Sequence, residues 1–339
     1  MTNRIVPVFV PHLGCPNDCV FCDQRRISGS ASPATAETVR AAIEDANRVL
    51  TPDAAAELAF YGGSFTAIPR REQDELLAAA SPFIAPNQTV NATRGLRVST
   101  RPDFMTRDTA ERLKQCGVAT IELGAQSMRS EVLTLSKRGH TPEDVRNAAR
   151  AVRSAGLNLV LQMMTGLPGD TPEGALRTAN ELLDLQPSAV RVYPTVIVRG
   201  TELERMWRRG AYREHTVEDA VALGATLIEL FERAGVPIIR FGLNATESLA
   251  GDVAGGAYHP ALGELAQSRV YLRRARELLR GNYGCATVKL GVAVNRVSIM
   301  SGQGRRNARA LEREFGIHRL QVSAADVKNG EIVILNIEK

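Results

Sequence analysis

Seven short β-rich apolar runs, over residues 6–10, 57–61, 96–100, 119–123, 157–164, 189–194 and 237–243, alternate with segments of helical pattern. This alternation constrains the fold more than any other feature. Parallel strands cannot be joined by tight turns and need a crossover, usually a helix, so the pattern predicts βαβ units and a parallel sheet. The segment 35–50 opens at Thr35 and carries Val39, Ile43, Ala46 and Leu50 at helical spacing. Segment 70–80 is rich in Glu, Leu and Ala. Segments 106–116 and 141–155 each open on a threonine able to cap a helix and are followed by Gly117 and Gly156. Segments 171–185 and 217–234 continue the series. Six or more such units in a row predict an α/β chain built as a partial (β/α)6 barrel, with a small α+β appendage at the C-terminal end.

In barrels of parallel strands the chemistry collects at the C-terminal strand ends, so unusual polar and glycine-rich residues should follow the runs rather than precede them. They do. Three cysteines follow the first run, and Gly62, Gly63, Ser64 and Phe65 follow the second. Ser99, Thr100 and Arg101 end the third, while Glu122 and Gln126 bracket the end of the fourth. Gly166, Leu167, Pro168 and Gly169 follow the fifth, and Tyr193, Pro194 and Thr195 end the sixth. Six strand ends are therefore expected to converge on one face.

A chain of 339 residues can bury a full hydrophobic core, so its five cysteines are not needed as staples. No stretch approaches the length of apolar sequence that crosses a membrane, and residues 1–12 lack the layout of a secretory signal. A cytoplasmic protein without membrane association is expected. The net charge is +5, and 37 of the 42 basic residues are arginine. An arginine surplus can follow genome composition, so only its local clustering bears on partners. The expected division is a barrel core over 1–245, a helical connector over 246–283 and a small α+β module, KH-like in outline, over 284–339.

Cys15-Pro-Asn-Asp-Cys19-Val-Phe-Cys22 sets three thiols on one tight loop. Four cysteines would saturate a [4Fe-4S] cluster; three leave one iron open to bind a substrate or cofactor. The same thiols could instead hold zinc with His12 as the fourth ligand, or form a disulfide with one thiol remaining. Cys116 and Cys285 stand apart in the sequence and are expected to pack as small apolar residues.

The C-x3-C-x2-C loop, with Phe21 before its last cysteine, resembles the radical S-adenosylmethionine (radical SAM) superfamily. Tyr61-Gly62-Gly63-Ser64-Phe65-Thr66 resembles that family's glycine motif, in the version of the elongator catalytic subunit; taken alone it is also an ordinary strand-to-helix turn. Further similarity runs through Arg97-Val-Ser-Thr-Arg-Pro-Asp103, Ile121-Glu-Leu-Gly-Ala-Gln-Ser127, Arg138-Gly-His-Thr141 and Met163-Met-Thr-Gly-Leu-Pro-Gly-Asp170, in family order and over about residues 4–245. The resemblance implies that Cys15, Cys19 and Cys22 ligate a [4Fe-4S] cluster whose open iron binds S-adenosyl-L-methionine. It implies cofactor contacts at Phe21, Gly62, Gly63, Ser64, Ser99, Gln126 and Arg138, with a solvated surface arginine the alternative for Arg138. Gln162 departs from the acidic residue of related porphyrinogen enzymes, which removes the ground for a ribose contact. Glu122, a carboxylate on an apolar strand, needs a partner. It is expected either to touch substrate or cofactor or to pair with Arg101. His12 and His140 are not expected to be catalytic.

The expected function is reductive cleavage of S-adenosylmethionine to a 5'-deoxyadenosyl radical, with an electron donor such as a flavodoxin or ferredoxin and RNA, tRNA in particular, as the substrate class. Two alternatives stand beside it: an oxygen-independent porphyrinogen-type radical oxidase, whose glycine motif usually reads Gly-Thr-Pro, and a zinc-stabilised RNA-binding protein without catalysis. Fewer than a hundred residues follow the seventh run, so the acetyltransferase domain of the elongator protein is not expected. Between 303 and 319 there are five arginines and two glutamates after a glycine-rich turn at Gly302, either an RNA clamp or a solvated amphipathic helix.

Overall fold

The computed structural model describes residues 4–10, 19–23, 34–51, 54–84, 94–243 and 247–338. Its first compact unit, residues 1–215 with 236–258, is built on seven strands. These are β1 (Arg4–Phe9), β2 (Ala56–Tyr61), β3 (Arg94–Thr100), β4 (Val118–Gln126), β5 (Asn158–Thr165), β6 (Ala189–Pro194) and, after a short strand β7 (Val196–Val198), β8 (Ile238–Phe241). The spatial order β1-β2-β3-β4-β5-β6-β8 is the chain order, and every neighbouring pair is parallel. The sheet curls into an open half-barrel, as the run of strand–helix units predicted.

The crossovers of this unit are helical and begin where their capping residues say they should. Helix α1 (Ala36–Val49) opens on a Thr35–Thr38 capping box, α3 (Arg107–Gln115) on Thr106, and α5 (Pro142–Ser154) on a Thr141–Asp144 box with Pro142 in its first turn. Helices α2 (Arg70–Ile84), α4 (Ser130–Leu135), α6 (Pro172–Asp184) and α7 (Glu202–Arg208) complete this series. Gly117 (φ +83°) and Gly156 (φ +69°) follow α3 and α5, where left-handed backbone ends a helix with no cost from a Cβ.

The period of two along each strand sorts its residues. Leu58, Phe60, Leu96, Val98, Ile121, Leu123, Leu159, Leu161, Val190 and Val192 are buried on the face the helices cover. The alternate residues point inward; β1 and β8 contribute the apolar Ile5, Pro7, Phe9 and Ile239, but the central strands carry a polar set: Glu57 and Tyr61 on β2, Arg97 and Ser99 on β3, Thr120 and Glu122 on β4, Gln162 on β5, Arg191 and Tyr193 on β6. A closed barrel of this type fills its interior with branched apolar side chains. This one carries a column of hydrogen-bonded charges instead.

The second compact unit, residues 216–235 with 259–339, holds α8 (Val217–Arg233) against α10 (Leu262–Leu278), whose Arg273 reaches Glu229 at 3.0 Å. It also holds a three-stranded sheet ordered β11-β10-β12, with β10 (Thr287–Val292) parallel to β11 (Arg319–Ala324) and antiparallel to β12 (Ile332–Glu338). Two helices, α11 (Val297–Ser301) and α12 (Arg306–Phe315), join β10 to β11. The core of this unit runs through Leu272, Leu279, Val288, Leu290, Met300, Leu311, Phe315 and Leu320.

Segment 246–283, expected as a helical connector, is divided between the two units. Its first part forms α9 (Glu247–Asp252) and a strand β9 (Val253–Gly256) that pairs antiparallel with β7, while its long helix α10 packs in the second unit. Cys285 is buried in the core of the second unit, as expected, whereas Cys116, at the C-terminal end of α3, is only half-buried. No described helix is long and apolar enough to cross a membrane.

Candidate functional site

A cavity of about 590 Å³ opens at the C-terminal strand ends of the first unit. Cys19, Phe21, Cys22, Gly62, Gly63, Ser64, Ser99, Gln126 and Arg138 all border it, so the structure gathers the candidates from four successive strand ends. Cys15 and His12 lie outside the described residues.

The cysteine loop is held from both sides. Val20 N donates to Ser136 O at 3.2 Å, and Leu203 N donates to Val20 O at 2.7 Å. The Val20 side chain is buried with Ile197, Leu203 and Tyr212, and Phe21, Met206 and Trp207 pack against this group. Cys22 N turns back to Cys19 O at 3.0 Å. Segments after the sixth strand, β7 and α7, thus set the position of a loop that follows the first.

Beyond β2, Gly62 adopts φ +93°, and a Cβ there would come within 3.4 Å of the Phe9 ring, so the turn passes close to the end of β1. Ser64 is buried. Its Oγ lies 2.9 Å from Thr100 Oγ1 and accepts from Arg101 N at 3.1 Å. The hydroxyl ties the glycine turn to the end of β3. Ser99 stands opposite Glu122 in the ladder.

Gln126 ends β4 at a register shift and holds φ +63°, a strained conformation for a residue with a side chain. Its Oε1 is buried and has no partner among the described residues. Arg138 is buried rather than solvated. Its Nη2 donates to Gly124 O at 2.8 Å and its Nη1 to Cys19 Sγ at 3.5 Å. Gly124 leaves room for this approach, because a Cβ would stand 2.8 Å from Arg138 Nη2 and 2.9 Å from Gln126 Nε2 and would push those side-chain ends aside. His140, buried beside them, contacts Ala125 O through Nε2 at 3.1 Å. Burial, then the Arg138 and Arg101 charges, pull its pKa down to about 4, so it is neutral near pH 7.

Glu122 is fully buried and does not pair with Arg101. Arg97 Nη1 reaches its Oε1 at 2.6 Å and Arg191 Nη2 at 2.9 Å; Tyr61 donates to the same oxygen at 3.1 Å and Gln162 Nε2 to Oε2 at 2.8 Å. Arg101 instead forks onto Asp103, two residues along in the turn after β3, at 3.0 and 2.8 Å. The physical reason is height in the half-barrel: Arg97 lies deep on β3 beside Glu57 and Glu122, whereas Arg101 is past the strand's end. Gln162, without an acidic group of its own, serves as a donor to Glu122. Burial and the Glu122 charge raise the Tyr61 pKa well above the ordinary phenol value, so Tyr61 remains a donor. Burial opposes the Arg191 charge, but Tyr193 and Glu122 outweigh it and keep that guanidinium charged. Glu57, Arg97 and Arg191 were not among the expected site residues. Charged residues at period two on otherwise apolar strands were the available signal, because a charge on the inward face of a strand must find its opposite there.

The residues present fit an iron–sulfur cluster with an attached amino-acid cofactor. Two thiols border the cavity, a guanidinium donates to one of them, a glycine turn leaves backbone close to the space, and a buried amide oxygen has no donor among the described residues.

Comparison with known proteins agrees. The profile of the radical SAM superfamily matches residues 9–182, and that of the radical SAM C-terminal domain matches 187–274. A tRNA uridine(34) acetyltransferase from Methanocaldococcus infernus is 30% identical over 246 residues, 63% of this chain and 46% of the relative. Elongator complex protein 3 of Saccharomyces cerevisiae is 26% identical over 190 residues, 51% of this chain and 34% of the relative. The chain spans about half the length of the first curated relatives it matches. Among solved structures, M. infernus Elp3 with an N-terminal deletion superposes with a TM-score of 0.62 at 24% identity, covering 80% of this chain and 63% of that one, which supports the fold. The match over residues 9–182 of 339 and the strand-end motifs make this chain a member of the radical SAM superfamily, an enzyme of that type with an elongator-like core.

Proposed function

We propose that this enzyme cleaves S-adenosylmethionine reductively and uses the resulting radical on an RNA substrate, tRNA in particular. The observation that carries the reading is the contact of Arg138 with Cys19 beside the Gly62–Gly63 turn, in one cavity with Cys22. Cys15, Cys19 and Cys22 would hold a [4Fe-4S] cluster, with S-adenosyl-L-methionine on the remaining iron. The chemistry this pair supplies when bound is one-electron cleavage of the sulfonium to methionine and a 5'-deoxyadenosyl radical that abstracts hydrogen. A flavodoxin or ferredoxin is the proposed electron source.

The protein's own contribution is arrangement. Arg138 offers positive charge to the Cys19 sulfur, and its donor fork suits a carboxylate next to it. The Gln126 carbonyl oxygen offers an acceptor to an ammonium group. Phe21, packed from behind by the Val20 cluster, presents a ring at the cavity wall. The column of Glu57, Arg97, Glu122 and Arg191 balances two negative against two positive charges, which keeps the floor of the cavity fixed and polar without net charge. Ile239, Leu243 and Leu249 give the cavity an apolar wall, with Leu249 buried and Ile239 partly open to solvent.

The RNA class is drawn from relatives named for tRNA uridine(34), of which this chain spans about half. The test is anaerobic reconstitution with iron and sulfide, followed by reductant and S-adenosylmethionine. The reading expects broad visible absorption from the cluster and formation of 5'-deoxyadenosine; a reconstituted protein that makes none refutes it.

A further inference from the structure

Two tyrosines share the Arg191 guanidinium, and only one of them is fully used. Arg191 Nη2 donates to Tyr61 Oη at 2.7 Å, and Tyr61 passes its own hydrogen to Glu122 Oε1 at 3.1 Å. Arg191 Nη1 donates to Tyr193 Oη at 3.2 Å, but the Tyr193 hydroxyl hydrogen has no acceptor among the described residues. Tyr193 borders the cavity. Burial raises the pKa of this phenol against the opposing pull of Arg191, so it keeps a hydrogen to give.

Gln162 has the complementary imbalance. Its Nε2 donates to Glu122 Oε2 at 2.8 Å, and because a carboxylate only accepts, that bond fixes which way the amide points. Gln162 Oε1 is then an acceptor without a donor among the described residues, and Gln162 borders the same cavity. Strands β5 and β6 pair with Gln162 opposite Arg191 and Met164 opposite Tyr193. The unused acceptor and the unused donor therefore stand on neighbouring strands, and both are pinned through Glu122 and Arg191.

One donor beside one acceptor selects a ligand edge that carries the opposite pair. A carboxylate or phosphate would satisfy Tyr193 but set its own lone pairs against Gln162 Oε1. A carbonyl next to a ring N–H satisfies both. Met164, Val196 and Leu249 border the cavity too and give a flat ring an apolar surface. An occupant that leaves either polar group unpaired in a filled cavity is discriminated against, because the desolvated group has nothing in exchange for water.

We propose that Tyr193 and Gln162 are specificity residues for the substrate of this cavity, the Tyr193 hydroxyl donating to a ring carbonyl of a uracil base and Gln162 Oε1 accepting from its adjacent N–H. This deepens the RNA part of the functional reading and rests on it for the choice of a nucleobase.

The test is calorimetric titration of the full-length reconstituted protein, with S-adenosylmethionine present and no reductant, using uridine and 3-methyluridine, which lacks the ring N–H. Uridine should bind at least about tenfold more tightly. Tyr193→Phe should weaken uridine about fivefold or more, and Gln162→Leu should remove most of the preference over 3-methyluridine. Tyr61→Phe disturbs the same guanidinium but leaves the free donor and acceptor in place, so it should retain the preference; this separates lost recognition from a disturbed column. A protein with 3-fluorotyrosine at position 193 keeps the hydroxyl and should bind uridine as the parent does. The proposal is overturned by a parent that does not bind uridine or does not distinguish the two nucleosides, or by Tyr193→Phe and Gln162→Leu proteins with parental affinity and preference. It is equally overturned by variants that weaken only S-adenosylmethionine, which would assign the pair to the cofactor's hydroxyls. Cleavage of S-adenosylmethionine is measured on the unaltered protein without uridine, so the enzyme reading and the base subsite can fail separately.

Discussion

The Arg138 guanidinium donates to the Cys19 sulfur across 3.5 Å while its other terminal nitrogen is fixed to Gly124 O. A hydrogen bond from a cation to a thiolate ligand stabilises the more negative, reduced state of a cluster. Replacing Arg138 with Gln should therefore shift the cluster midpoint potential to more negative values, on the order of tens of millivolts, as read by a redox titration followed by electron paramagnetic resonance. Gly124→Ala should shift it in the same direction, because the added Cβ displaces the guanidinium.

Trp207 is the only tryptophan, and it packs against the group that holds Val20 between Cys19 and Cys22. Its fluorescence should fall when iron and sulfide are loaded and should not fall in a Cys19→Ser, Cys22→Ser protein. Leu203→Ala removes a fully buried side chain from beneath the loop and its thermal unfolding should report a loss of about 2–5 kcal/mol, with lower iron content per chain.

Glu122 carries two guanidinium partners in a buried site. Glu122→Ala should destabilise the protein by about 3–5 kcal/mol, since Arg97 and Arg191 lose a shared counter-charge. Glu122→Met combined with Arg191→Met should recover part of that loss in the same denaturation measurement, because the second change removes one of the stranded cations.

His140 gives the stability a pH dependence of known sign. Its folded pKa is about 4 against an ordinary 6.5, so between those values the unfolded chain binds a proton that the folded chain does not. Its contribution is complete above pH 6.5 and is lost as pH falls to 4, by about 3 kcal/mol in all. A His140→Gln variant of the cluster-free protein should show a flatter denaturation midpoint across that window.

The strand order and the edge that carries the site were legible in the sequence, because period-two apolar runs, capping threonines and terminal glycines are local signals. The placement of Cys19, Cys22, Gly62, Ser99 and Gln126 around one cavity followed from the rule about strand ends, whereas Gly166 to Gly169, which the same rule named after the fifth strand, do not line it. Partners inside the half-barrel were not legible. Arg101 was as good a candidate for Glu122 as Arg97 until the register and the height of each side chain were known.

The amino-acid sequence by itself determined the alternating elements, the parallel sheet and the three-cysteine loop with its glycine turn, since each depends on residues near one another in the chain. Only the tertiary structure decided that Arg138 lies on Cys19, 119 residues away, that Arg191 and Tyr61 meet across 130, and that Leu203 fastens the cysteine loop. Those pairings depend on register and on the curl of the sheet. A shift of one residue turns a side chain to the opposite face, and that choice belongs to the packing of the whole half-barrel rather than to any local pattern.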